Sequence, residues 1–364
     1  MYFQPDIVAI WTSKGTALLQ LERYQEALDA FNQAIRLQPS YGEAWRGKGL
    51  ALSNTGCHQQ ALDAFEQALR LQPDNPLIWA NMGCTLNQLG RYQEAIEAQD
   101  EALHFKSDFA EAWYNKGLTL DDMGHNEAAL EAYDKAVYLK PDFLEAWNNK
   151  ALILTNLERY EEAIVACDKM LHLNPDRSSA WVQKGVVLAH LTQDQEALAV
   201  FEQSLRLAPD LPEAWYNKGI SLIKLGRHQE ALVAFEQALY SEPSFAEAWH
   251  KKGLTLGELG RDEEAIEAYN QAVLLNPNSP EMWYNKGTTL ADSGQWHIAI
   301  AAYDQALLLK PAFPEAWYNR GVALSKLMRR QKALEAYNQA IQLKPDFAEA
   351  WYNKGVVLLK LDIL

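Results

Sequence analysis

Residues 110–143 read AEAWYNKGLTLDDMGHNEAALEAYDKAVYLKPDF, and this 34-residue stretch recurs along the whole chain. Its tryptophan returns as Trp11, Trp45, Trp79, Trp113, Trp147, Trp181, Trp215, Trp249, Trp283, Trp317 and Trp351, always 34 residues apart; only Trp296 stands outside the series. Prolines keep the same beat from Pro5 to Pro345, with Ser107 in the one vacant place. A fixed period of this length means stacked supersecondary units rather than one globular core. The frame divides the chain into residues 1–7, the remnant of a preceding unit; ten units of 34 residues (8–41, 42–75, 76–109, 110–143, 144–177, 178–211, 212–245, 246–279, 280–313, 314–347); and a C-terminal half unit, 348–364.

Counting from each Trp, position +4 is Gly except at Ala151, and +7 is always Leu, from Leu18 to Leu358. Position +16 is always Ala, from Ala27 to Ala333; +20 is Phe or Tyr except at Gln99 and Cys167; +23 is Ala except at Met170 and Ser204. Trp, +4, +7 and +10 share one face at 3.6 residues per turn, which predicts a first helix. A break follows at Gly56, Gly90, Gly124, Gly226, Gly260 or Gly294, where a helix C-terminus needs a positive φ. A second helix then carries Ala, the aromatic and Ala on its packed face, and the proline at +28 stops it. The Asp, Ser or Asn after that proline, such as Asp142, Asp210 or Ser244, is expected to cap the next first helix. The unit with Ala151, Cys167 and Met170 breaks the pattern most and is expected to be the weak point.

The pattern of Trp, Gly, Ala, aromatic, Ala and Pro resembles the tetratricopeptide repeat (TPR) family over residues 8–364. The resemblance implies an all-α fold, an α-solenoid of antiparallel helix pairs in a right-handed superhelix. First helices would line a concave groove that binds peptides or extended segments of other proteins. One departure is steady: position +3, usually Leu in the family, is Lys or Arg in every unit but that of Met82.

Composition narrows the function. The chain has 364 residues, 48% hydrophobic and 22% charged, with a net charge of −15. Such acidity argues against nucleic acid, whose affinity comes from Lys and Arg neutralising phosphates. No run of about 18 apolar residues exists to span a bilayer. Three cysteines, Cys57, Cys84 and Cys167, do not build a disulfide framework, which points to a reducing, cytoplasmic location. The eight histidines show no metal-ligand spacing, and no phosphate-loop or nucleophile motif occurs. A periodic surface lacks the unique constellation catalysis needs, so the expectation is no enzyme, no metal and no cofactor.

The candidate site is the outer face of the first helices. Position +2 is Asn at Asn81, Asn115, Asn149, Asn217, Asn285, Asn319 and Asn353. An amide offers one acceptor group and two donors. These residues either form a ladder that holds the backbone of an extended peptide, a role the family resemblance supports, or bond to the neighbouring helix and fix the stacking angle. Position +1 is Tyr at Tyr114, Tyr216, Tyr284, Tyr318 and Tyr352, either contact surface for a ligand or packing between units. Aliphatic residues at +5, such as Leu118 and Ile220, form an apolar floor or are covered by neighbours.

Glu at −2, as in Asp108-Phe-Ala-Glu111 and Asp346-Phe-Ala-Glu349, reads as a capping box. It also adds negative field, as do Asp121, Asp122, Glu258 and Asp292 at +8 and +9. Basic extended partners are favoured, and the basic clamp by which some relatives hold acidic tails is absent. The lysines at +3 are structural, with Glu66, Asp100, Asp134, Glu202 and Glu236 as expected partners.

The C-terminal helix has an apolar tip, Val356 to Leu364. It caps the array or mediates weak self-association. The expected function is a protein-interaction scaffold binding extended segments. The alternatives are a self-assembling structural scaffold, or the interaction part of a larger multidomain protein.

Overall fold

In a computed structural model, residues 5–362 are described, and every regular element among them is an α-helix. The chain divides into two compact units, Met1–Pro175 and Asp176–Leu364. The first unit holds α1 (Pro5–Gln20), α2 (Tyr24–Leu37), α3 (Gly42–Asn54), α4 (His58–Leu71), α5 (Pro76–Gln88), α6 (Tyr92–Phe105), α7 (Ala110–Asp122), α8 (Asn126–Leu139), α9 (Leu144–Asn156) and α10 (Tyr160–Leu173). The second unit holds α11 (Ser178–His190), α12 (Asp194–Leu207), α13 (Pro212–Lys224), α14 (His228–Ser241), α15 (Ala246–Glu258), α16 (Asp262–Leu275), α17 (Pro280–Asp292), α18 (Trp296–Leu309), α19 (Pro314–Lys326), α20 (Arg330–Leu343) and α21 (Ala348–Asp362). Within each unit, helices pack consecutively in the pairs α1/α2, α3/α4 and onward. Of the expected N-terminal remnant, residues 1–4 lie outside the described residues, and Pro5 opens α1.

The close fit inside each pair comes from Gly at +4 against the aromatic at +20. A Cβ built on Gly117 would lie 2.6 Å from Tyr133 Cε1, and one on Gly219 would lie 2.6 Å from Phe235 Cε1. Only a residue without a side chain lets these rings lie flat on the first helix. The irregular units satisfy the same volume differently. Where Ala151 replaces Gly, Cys167 replaces the ring, and both are fully buried with Met170. Gln99 donates from Nε2 to the Ala80 carbonyl at 3.0 Å, and Ser204 donates to the Ser178 carbonyl at 3.0 Å. Position +6 (Ala51, Thr85, Thr119, Ile153, Val187, Ser221) is also buried, a packed position the helical-face reading passed over.

The breaks within pairs behave as expected: Gly56, Gly90, Gly124, Gly226, Gly260 and Gly294 all have φ between +71° and +78°. His125 N–H bonds back to the Leu120 carbonyl and Gly124 N–H to that of Asp121, the two bonds that close a Schellman turn. Glu22, Glu158, Thr192 and Met328 hold the same left-handed place without being glycine.

The starts of the first helices correct the capping-box reading. Helix α7 begins at Ala110, so its N-cap is Phe109, not Asp108, and no side chain caps it. Phe143, Phe245 and Phe313 stand at the same place before α9, α15 and α19. The residue at that place is spent on packing: Phe109 and Phe143 are buried, and Phe143 lies 4.8 Å from the Tyr114 ring. Only Asn75 and Ser279 show a side-chain cap among the described helices. Glu111, Glu281 and Glu315 instead pair with Lys140, Lys310 and Lys344 at the ends of their own second helices.

The tryptophan and proline beats are one device. Trp147 Nε1 donates to the Pro141 carbonyl at 2.9 Å, and Trp45, Trp79, Trp215, Trp249, Trp283, Trp317 and Trp351 reach the carbonyl six residues earlier in the same way. The acceptor is main chain, so Ser107 serves Trp113 equally well. The +3 cations lie over these indoles, from Lys14 at 4.9 Å from the Trp11 ring centre to Lys116 at 5.6 Å from that of Trp113. Four of the five acidic partners read from the sequence are in place, Asp100, Asp134, Glu202 and Glu236 pairing with Lys116, Lys150, Lys218 and Lys252. Glu66 is the fifth, and the +3 residue of the following repeat is Met82, which has no charge to pair with it. No described helix is long and apolar enough to cross a membrane.

Candidate functional site

In the first unit, the first-helix face carries Asn81, Asn115 and Asn149 with Tyr114. The structure joins two of the residue types that the sequence presents as separate ladders. Asn149 Nδ2 donates to Tyr114 Oη at 3.4 Å, from one repeat to the one before. Tyr114 is half-buried, wedged between Tyr133 (ring centres 6.0 Å apart) and Phe143. Its burial pushes the phenol up from its ordinary value, so it stays a neutral acceptor. Asn81 and Asn115 have no side-chain partner among the described residues. The residues one repeat earlier that would meet them are Arg46 and Ala80, neither of which has an acceptor side chain.

The second unit repeats this logic. Asn319 donates to Tyr284 Oη at 3.0 Å and Asn353 to Tyr318 Oη at 2.9 Å. Asn285 meets His250 Nε2 at 2.8 Å, where His takes the Tyr place. Burial, with Lys251 beside it, holds His250 down at about 4, so the ring is neutral near pH 7. Asn217 lacks such a neighbour, because the corresponding residue one repeat earlier is Val182, and it turns back to the Glu213 carbonyl at 2.8 Å. Tyr216 packs on Phe235 and Phe245, whereas Tyr352 is 74% exposed. The pairing rule is a spacing of 35 residues with an acceptor at +1.

The +5 floor is half-covered at Leu118, Ile220, Leu254 and Val322, while Leu152 is exposed. Acidic groups gather beside it. In the first unit, Asp122 Oδ2 accepts from Asn87 Nδ2 at 2.7 Å, and burial with the Asp122 charge pushes Asp121 up. In the second unit, Glu258, Asp262 and Asp292 line a cleft of about 290 Å³ with Tyr269 and Asn285. Among the described residues, no group of three His, Cys, Asp or Glu is placed to hold a metal ion. Asn87, whose sequence position reads as a helix end, belongs to this face as well, whereas Tyr133 stays in the core of its helix pair, as its position reads.

Comparison with known proteins follows the geometry. Models described as "Tetratricopeptide repeat" match residues 12–76, 64–97, 110–143, 144–177, 178–211, 195–246, 216–282 and 314–347, and one described as "TPR repeat" matches 287–327. No curated protein matches the chain significantly. Among solved structures, pilF of Pseudomonas aeruginosa is 19% identical with a TM-score of 0.51, over 57% of this chain and 95% of its own. YrrB, described as a TPR protein with an unusual peptide-binding site, is 26% identical with a TM-score of 0.48, over 52% of this chain and 98% of its own. The APC/C hetero-tetramer Cut9–Hcn1 aligns over 99% of this chain and 91% of its own, at 15% identity and a TM-score of 0.43. With the helix pairs, the glycine–aromatic locks and the repeat matches running nearly end to end, the chain belongs to the tetratricopeptide repeat family.

Proposed function

We propose that the chain is a protein-interaction scaffold whose first-helix face holds an extended, non-acidic protein segment through the asparagines at +2. Proteins built from this repeat are in general interaction modules rather than enzymes. The observation that carries the reading is the set of Asn-to-Tyr hydrogen bonds at Asn149, Asn319 and Asn353. Each uses one amide N–H and fixes the plane of the side chain. A second N–H remains to meet a peptide backbone, as does the carbonyl oxygen of Asn319 and Asn353, whereas that of Asn149 already accepts from Asn148 Nδ2 at 3.2 Å. An amide already oriented loses less rotamer entropy on binding. The net charge of −15 draws basic segments and repels acidic ones.

The test is a displayed library of extended segments, bound by the wild type and by the combined Asn115→Ala, Asn149→Ala and Asn217→Ala variant. Each lost hydrogen bond is worth about 0.5–1.5 kcal/mol, so binding weakens roughly tenfold to a thousandfold while helicity is kept. Unchanged affinity in a folded variant would refute the ladder and leave these asparagines as spacers. A second reading, self-association through α21, is favoured by the exposure of Trp351, Leu358 and Leu359. Mass measured across a concentration series, with and without Leu359→Lys, decides it.

A further inference from the structure

The turn between α19 and α20 breaks a charge pattern that other repeats keep. Position +12 is Arg and position +15 is Glu in five of them, and each pair bonds across the start of its second helix, as Arg23 does with Glu26 at 2.7 Å. At the corresponding places stand Arg329 and Lys332, two cations three residues apart. Like charges at that spacing repel. Arg330 and Lys332 fall in the first turn of α20, which holds no acid and where the helix dipole favours anions. Lys326 ends α19 with its ammonium 5.7 Å from the Trp296 ring centre. None of these four cations forms an ion pair among the described residues. Between Glu315 and Glu335 the chain has five cations and no acid, in a protein of net charge −15.

Stacking does not require this arrangement. The turn is closed by main chain, with Met328 N–H on the Ser325 carbonyl and Arg329 N–H on that of Leu324. Lys326, Arg329 and Lys332 are exposed, so they give no packing in return for their mutual repulsion. Apolar groups are exposed among them. Met328, at φ +60° on the tip of the turn, is 67% exposed. Ile298, two residues past the Trp296 that Lys326 covers, is 54% exposed. A surface of this kind attracts anions. A nucleic-acid strand or an anionic bilayer spreads its charge widely enough to meet the acidic remainder of the chain, whereas a short segment meets the turn alone. Inorganic phosphate would leave Met328 and Ile298 uncovered. Carboxylates suit the two guanidiniums, which can hold them in a fork.

We infer that Lys326, Arg329, Arg330 and Lys332, with Met328 and Ile298, form a docking surface on the second unit for a short acidic segment of a partner protein that carries apolar side chains among its carboxylates. The surface lies at the turn rather than on the asparagines, and it takes the class of segment that their acidic surroundings repel.

The probe is Asp-Glu-Leu-Asp-Glu-Leu-amide carrying an uncharged dye, followed by anisotropy with the full chain at low salt. The controls are Asn-Gln-Leu-Asn-Gln-Leu-amide and Asp-Glu-Ser-Asp-Glu-Ser-amide with the same dye. The acidic Leu peptide is expected to bind saturably, several-fold more tightly than either control, and more weakly as salt rises. Lys332→Glu restores the Arg–Glu pair of the other repeats, so it should hold or raise the urea midpoint while weakening the peptide about fivefold or more. Arg329→Gln weakens the peptide as well, without an added acid. Lys135→Glu, the same charge change at an exposed site of the first unit, leaves the affinity near that of the wild type. Absent or non-saturating binding, equal binding of either control peptide, an equal loss in Lys135→Glu, or full binding to a folded Lys332→Glu protein would each overturn the inference. Binding to phosphatidylserine vesicles in place of the peptide would overturn it in favour of a membrane. The combined Asn115→Ala, Asn149→Ala and Asn217→Ala variant should bind this peptide as the wild type does, so failure of either reading leaves the other standing.

Discussion

Replacing Gly219 with Ala should destabilise the second unit even though alanine is the better helix former. In an open helix the exchange gains about 0.5–1 kcal/mol. At Gly219 the new Cβ would lie 2.6 Å from Phe235 Cε1 and 2.7 Å from Cζ. Carbon atoms prefer about 3.5–4.0 Å, so the ring must retreat by roughly 1 Å. Phe235 is 0% exposed and packs on the Ala231 and Ala234 side of α14, with Leu222 beyond, so there is no space to retreat into. Overpacking of this kind costs about 1–3 kcal/mol, which exceeds the propensity gain. The expected net loss is about 1–2 kcal/mol. Gly257→Ala is the matched control, because nothing lies within 4 Å of its Cβ direction, and it should gain stability. Repeat arrays do not always unfold in one step, so the readout is hydrogen exchange of α13 and α14 amides alongside urea unfolding. The natural pair Ala151 and Cys167 supplies the second half of the test. Adding Phe235→Cys to Gly219→Ala should cost less than the sum of the two single changes, by about 1 kcal/mol. If Gly219→Ala stabilises as much as Gly257→Ala does, the glycine–aromatic lock is not what sets helix spacing.

Two further outcomes follow from local geometry. Glu158 closes α9 at φ +58°, where six other repeats use glycine, so Glu158→Gly should raise local stability by up to about 1 kcal/mol, read as slower exchange in α9 and α10. The pairs Arg23–Glu26, Arg91–Glu94, Arg159–Glu162, Arg227–Glu230 and Arg261–Glu264 hold their carboxylates below the ordinary range by charged hydrogen bonds. A carboxylate lowered on folding contributes stability that is present above its unfolded value of about 4.3 and is lost as pH falls through the lower folded value. Urea midpoints should therefore fall on acidification below about pH 4, less steeply when the five arginines are replaced by methionine and less steeply in high salt; an unchanged slope would refute the assignment.

Much of this architecture was legible because the period leaves every packing decision visible many times over. Gly117 with Tyr133, and Ala151 with Cys167, even carry the volume exchange in their letters. The N-termini were misread for a physical reason. Asp108 and Glu111 have capping-box spacing, but the helix starts one residue late because Phe109 is drawn into the core. The Trp-to-Pro joint was hidden because its acceptor is a main-chain carbonyl, which no letter records. The Asn and Tyr series were each visible, yet their union needs a pairing across 35 residues, one more than the repeat. That pairing also explains Asn217, whose predecessor Val182 offers no acceptor. The letters do separate Tyr133 from Tyr337, since Asp121 and Asp122 stand where the later repeat has Ser325 and Lys326, but they do not show that these carboxylates come close enough to act on the buried phenol.

This contrast separates what the repeat requires from what it does not. The Gly–aromatic locks, the indole bonds and the Lys–acid pairs recur because each unit needs them to stack. Asp121 is not one of these recurring devices: the corresponding residue one repeat later is Thr155, whereas Asp122 ties α7 to the preceding repeat through Asn87. The two adjacent acids carry a penalty instead, since Asp121 is held above its ordinary value by burial and by its neighbour. A carboxyl raised on folding lowers stability at neutral pH, the reverse of the Arg–Glu pairs. Asp121→Asn should therefore hold or raise the urea midpoint near pH 7. A lower midpoint in the folded variant would show instead that the Asp121 carboxylate contributes to the scaffold.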